Sequence, residues 1–173
     1  GIYVAPFAHQ VGENAVVRNC HVQNPYMYAT QGSNYGFVQD NYGLIENSSV
    51  QVNLIGRYNS YGFAGTNHES GIIRDCHANV SSDSYVCAPV AYINQGLIER
   101  THTTVDITSD HAMMASGFVH SNQNQGVIRE CSSSGTVRGL GNAPRTAQWS
   151  GQIAGFCIIN TGLIESSWTT CDM

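Results

Sequence analysis

Lysine is absent from this 173-residue chain, so its seven basic residues are all arginine. Charged residues of both signs make up 11%, less than half the share of about 25% usual for a globular domain. With a net charge of −5 and no basic run, the counterion release that drives nucleic-acid binding has little to act on, and nucleic acid is not an expected partner. No segment approaches the roughly 20 consecutive apolar residues of a membrane-spanning helix. The opening Gly1-Ile2-Tyr3-Val4-Ala5 lacks the charged start of a signal peptide, as expected of a mature or excised piece. Neither a CxxC pair, a zinc-ligand spacing nor a His-Glu-x-x-His motif occurs, so the sequence calls for no metal and no cofactor.

What is plentiful is Gly, Asn, Ser and β-branched residues, arranged as a repeat. Gly43-Leu44-Ile45-Glu46 returns as Gly71-Ile72-Ile73-Arg74, Gly96-Leu97-Ile98-Glu99, Gly126-Val127-Ile128-Arg129 and Gly162-Leu163-Ile164-Glu165, with Ala15-Val16-Val17-Arg18 as a divergent first copy. Successive copies lie 28, 28, 25, 30 and 36 residues apart. A second phrase precedes each copy, for example Gly36-Phe37-Val38 and Gly117-Phe118-Val119. A third segment follows it, alternating in Ser49-Val50-Gln51-Val52-Asn53-Leu54 and Thr103-Thr104-Val105-Asp106-Ile107. Glycine and asparagine every few positions rule out helical repeats of this length. The pattern therefore predicts a right-handed parallel β-helix of about six three-strand coils, a single domain over 1–173 that forms a segment of a longer solenoid.

Stacking the copies sets like positions above one another. Three residues after the glycine stand Arg18, Glu46, Arg74, Glu99, Arg129 and Glu165, alternating in sign, which predicts a continuous charge ladder. Two positions further, Cys20, Ser48, Cys76, Thr101, Cys131 and Ser167 are all small, as an inward site requires. The cysteines there recur every second coil, about 9.6 Å apart and beyond disulfide reach, so free thiols are expected. Asn41, Asn94, Asn124 and Asn160 each precede the glycine by two residues and predict an asparagine ladder at one corner.

The composite phrase, Gly-Phe-Val followed by Asn-x-Gly-x-Ile-x-x-Cys or Ser, resembles the GLUG repeat of bacterial surface proteins and of the non-catalytic part of IgA-specific metallopeptidases. The resemblance covers nearly the whole chain. Ala15 in place of glycine and Pro89-Val90 in place of Gly-Phe depart from it. It implies a β-solenoid exported to the cell surface, hence an extracellular or surface location, and it carries no protease activity here.

Two sets of residues are candidates for chemistry. His77 and His102 fall on neighbouring coils beside Arg74 and Glu99, the densest titratable patch, and β-helix polysaccharide lyases place acid and base groups on such a strand face. Arg138, Arg145 and Trp149 lie in the longest interval, and Tyr35, Tyr58 and Tyr61 precede or adjoin the Gly-Phe phrase, together suggesting aromatic and cationic surfaces for stacking sugars. The expected function is a non-catalytic surface scaffold or adhesin-like segment that binds a polysaccharide or host glycan. The alternatives are a β-helix polysaccharide lyase or glycoside hydrolase, and a subunit that self-associates end to end into a filament.

Overall fold

The computed structural model describes residues 4–29, 32–109, 114–139 and 151–173, with the side chains of 24–25, 29, 56–58 and 109 outside that description. Within those residues the chain is all-β and coils as a parallel β-solenoid. The first sheet stacks Ala8–Val11, Val38–Asn41, Ala64–Asn67, Ala91–Asn94, Val119–Asn122 and Cys157–Asn160. The second stacks the repeated phrase itself, Val16–Arg18, Leu44–Glu46, Ile72–Arg74, Leu97–Glu99, Val127–Arg129 and Leu163–Glu165. The third and broadest holds His21–Ala29, Ser49–Tyr61, His77–Ala88, His102–Ser109, Ser132–Gly139 and Trp168–Asp172, flanked by Asn34–Tyr35, Met114–Ser116 and Gln152–Ala154. Six strands stacked in one sheet are separated by only five circuits of the chain, so complete turns are slightly fewer than the repeat suggests.

The interior is filled by the alternating apolar positions, among them Ile45, Ile73, Ile98 and Ile128 from the second sheet and Val50, Leu54, Val80 and Ile107 from the third. Phenylalanines from the second phrase stack on one another, Phe7 on Phe37 at 4.4 Å and Phe118 on Phe156 at 4.6 Å between ring centroids. The repeat glycine is required by close approach. A Cβ on Gly43 or Gly96 would stand 2.3 or 2.2 Å from a glycine carbonyl oxygen of the coil before it. Ala15 takes this place in the first coil, where the residue is exposed.

Each bend from the second sheet to the third passes through one left-handed residue, namely Asn19, Asn47, Asp75, Arg100, Glu130 and Ser166, with φ between 43° and 55°. Non-glycine residues adopt this conformation at a cost of about 1–2 kcal/mol. Two sets of hydrogen bonds offset it. The backbone N–H of Asn47, Asp75 and Arg100 donates to the carbonyl of Arg74, Glu99 and Arg129 in the next coil. The small residue that follows turns inward and donates to the carbonyl two residues back, as Ser48 to Glu46 at 2.8 Å, Cys76 to Arg74 at 3.1 Å and Thr101 to Glu99 at 3.0 Å. All six cysteines are free, and burial pushes the thiols of Cys76, Cys87 and Cys131 up to about 12.

The asparagine ladder closes the corner between the first and second sheets, with two changes of membership. Asn41, Asn67, Asn94, Asn122 and Asn160 pass one hydrogen bond to the next, each Nδ2 donating to the following Oδ1 at 2.8 to 2.9 Å. Asn124 is not a member. It sits exposed in a left-handed turn at φ 50°, and Asn122 takes the inward place. Alternate coils carry a turn two residues longer, closed by Gly71 N–H to His68 O and Gly126 N–H to Gln123 O, which moves the inward asparagine to four residues before the glycine.

Candidate functional site

The charged corner is internally satisfied. Glu46 is buried and receives hydrogen bonds from Arg18 and from Arg74, the latter at 2.6 Å. The Arg74 and Arg18 guanidinium groups hold its carboxyl below the usual carboxylate range. Glu99 turns to Arg129 at 2.6 Å and Arg100 at 3.2 Å, and Arg100 also reaches Asp75 at 2.7 Å. Burial opposes ionisation of Glu99, but the hydrogen bonds from Arg129 and Arg100 prevail and keep its pKa low. The expected continuous ladder is thus two clusters, because the left-handed bend delivers Arg100 to Glu99 and diverts that carboxylate from Arg74.

His77 and His102 are paired in register, as the repeat predicts. His102 Nδ1 lies 2.8 Å from Ser132 Oγ, and partial burial together with the nearby His102 lowers the pKa of His77. Arg74 and Glu99, expected beside them as catalytic partners, are held in the ion pairs just described. Among the described residues no group of three or more His, Cys, Asp or Glu side chains is placed to hold a metal ion. Nor is any helix there long and apolar enough to cross a membrane.

The expected aromatic and arginine set does not assemble as one site. Tyr35 and Tyr61 are 7% and 3% exposed, and their rings meet tilted at 44°, 5.5 Å between centroids, in a small second core with Val86 and Ala88. Neither offers a face to a sugar, because each packs against neighbours in adjacent coils, Tyr61 also stacking on Tyr92 at 5.0 Å. Burial raises the Tyr61 hydroxyl pKa further. Arg138 is exposed on the third sheet, away from that core. The side chain of Tyr58, and the whole of Arg145 and Trp149, lie outside the described residues.

Two concavities stand out among the described residues. One, about 340 Å³, is lined by Tyr92, Met114, His120, Gln123 and Gln152 among others. His120 there is 5% exposed, with Nε2 3.2 Å from Met114 Sδ, and burial lowers its pKa. The larger, about 450 Å³, is an open groove on the outer face of the third sheet, lined by Gln23, Gln51, Val52, Asn53, Asn79 and Ser81. No lining side chain is charged. A register shift between Asn24 and Met27 interrupts the sheet beside this groove. Tyr26, within the shift, and Tyr28, which pairs with Ile55, are each 68% exposed.

Carboxamides and a hydroxyl beside exposed tyrosines can hydrogen-bond to polyols and stack on pyranose rings. Sequence reasoning passed over these residues, although Gln51 and Asn53 alternate with Val50, Val52 and Leu54 in a segment already legible as a half-buried strand. Their signal was the choice of amides at outward positions, and the bulge that raises Tyr26 and Tyr28 has no sequence marker beyond Pro25. No family model, curated protein or solved structure matches the chain, so the groove's own chemistry has to carry the functional argument.

Proposed function

We propose that this chain is a rigid solenoid scaffold of an extracellular or cell-surface protein, adhesin-like in role, that binds polysaccharide on the outer face of its third sheet. The observation that carries the proposal is the uncharged groove of Gln23, Gln51, Asn53, Asn79 and Ser81 with Tyr26 and Tyr28 exposed beside it. A protein with so few charges and so broad a polar sheet offers hydrogen bonds rather than ionic contacts, which suits a polyhydroxyl ligand. The likeness of the repeat to GLUG supports the surface location.

Retention of the chain on immobilised polysaccharides tests this. Tyr26→Ala with Tyr28→Ala is expected to lose retention while thermal stability stays unchanged, since both rings are exposed. No retention on any polymer retires the proposal.

A second reading, a β-helix lyase, draws on the lowered pKa of His77, which keeps that ring neutral near pH 7 and able to accept a proton. It predicts unsaturated sugar products that disappear in His77→Ala. The engagement of Arg74 and Glu99 with other partners weighs against it.

A further inference from the structure

The strand pairings carry the groove beyond its lining. Gln23 pairs with Gln51, Gln51 with Asn79, Asn79 with Thr104, Thr104 with Ser134 and Ser134 with Thr170. One column of outward positions therefore runs across six stacked strands of the third sheet with an amide or a hydroxyl at every level and no charge at any. All but the half-buried Ser134 are exposed. Each such side chain can both donate and accept. Their mutual bonding is slight, Gln23 Nε2 standing 3.4 Å from Gln51 Oε1, so hydrogen-bonding capacity is left over.

Coils of a parallel solenoid repeat about every 4.8 Å along the axis. That distance is close to the length of one residue in an extended β-1,4-linked pyranose chain. Such a chain is a flat ribbon with hydroxyls along both edges, so its edge stays in step with the column for several residues. An α-1,4-linked chain curls and leaves the column after one or two. Exposed aromatic rings stand at both ends of the column, Tyr26 and Tyr28 in the first coil and Trp168, 57% exposed, two residues from Thr170 in the last.

Charge decides between neutral and acidic polymers. The guanidinium groups of Arg74, Arg100 and Arg129, at the bend before this sheet, are paired with Glu46, Asp75 and Glu99, while Asp106 is exposed on the same face. A uronate chain on the column would meet the Asp106 carboxylate two residues along the strand from Thr104, while the exposed Arg138 stands four residues from Ser134.

We infer that the polymer bound by this face is a neutral β-1,4-linked pyranose chain lying along the solenoid axis, one sugar residue to each coil. The inference rests on the polysaccharide-binding proposal above and narrows it.

The experiment is calorimetric titration of the chain with neutral β-1,4-linked glucose, mannose and N-acetylglucosamine oligomers from dimer to hexamer. Linear α-1,4-glucan oligomers and oligogalacturonates of the same lengths serve as comparison arms. Affinity for at least one β-1,4 series is expected to rise about 2- to 10-fold per added residue, the effect of one net hydrogen bond. The double variant Gln51→Ala, Asn79→Ala is expected to bind the hexamer at least about 10-fold more weakly with an unchanged melting temperature. Equal or tighter binding of α-1,4-glucan or oligogalacturonate overturns the inference and leaves polysaccharide binding standing. Affinity independent of length also overturns it. Binding of no oligomer, with no retention on any polymer, overturns both. The length series uses the unaltered chain, so the result stands even where the double variant fails to fold.

Discussion

Two columns of polar side chains run the length of this solenoid, and they differ in what they bind. Four of the asparagines at the corner of the first and second sheets, Asn41, Asn67, Asn94 and Asn122, are buried, and each amide bonds to the next, with Asn67, Asn94 and Asn122 also reaching backbone carbonyls. The column from Gln23 to Thr170 stands on the outer face with one weak contact among its amides. Both are drawn from the same amide and hydroxyl chemistry. The contrast teaches that a repeated polar residue in a solenoid is structural when its neighbours satisfy it and available for a ligand when they do not.

The sharpest way to test the contrast is to delete one member from each column. Asn94→Ala removes the bond to Asn122 and the bond from Asn67, leaving the buried Asn122 Oδ1 without its donor, and is expected to cost about 2–4 kcal/mol in denaturant unfolding. A cost below about 1 kcal/mol would remove the distinction between the columns.

The charged corner should come next. Arg74→Glu sets a third carboxylate among Glu46 and Glu99 and removes a donor to Glu46, whereas Arg74→Gln only weakens that bond. Arg74→Glu is expected to lower the melting temperature several-fold more than Arg74→Gln, and equal effects would show that charge pairing contributes nothing at this bend.

The pH dependence divides the same region. The pKa values of Glu46 and Glu99 are lowered in the folded state from an ordinary value of 4.5, so their contribution is complete above about pH 4.5 and is lost as pH falls through the folded values. His77 is also lowered, from 6.5, but as a base it takes up a proton first in the unfolded chain. Stability linked to it therefore falls as pH drops below about 6.5 and levels off below the folded value. Melting temperature measured from pH 8 to pH 3 should show both declines. The upper one should vanish in His77→Ala, and the lower one should shrink in Glu46→Gln with Glu99→Gln.

The smallest effect belongs to the outer column. Gln51→Ala and Asn79→Ala are each expected to change stability by no more than about 0.5 kcal/mol, because both side chains are exposed. A loss comparable to that of Asn94→Ala would mean the outer amides hold the sheet together and would end their distinction from the buried ones.

Much of this architecture was legible before any coordinates. The Gly-x-Ile phrase at near-constant intervals marks the second sheet, since a residue of any other size at Gly96 would strike the coil before it. The asparagine ladder was legible in kind and misread in membership, because counting back from the glycine assumes equal turns. In alternate coils the turn is longer, and Asn124 lies in it while Asn122 lies inside. Tyr35 and Tyr61 were misread in exposure, since their rings pack against each other and against Val86, Ala88 and Tyr92.

By itself the sequence determined the repeat, the parallel coil, the inward small residues and the free thiols, because those follow from local periodicity and from spacing along one chain. Only the tertiary structure decided which arginine reaches which carboxylate, which asparagine enters the ladder and which outward amides line a groove. Those outcomes depend on the left-handed bends, the unequal turns and the register shift beside Tyr26, where a displacement of one or two residues exchanges a buried partner for solvent.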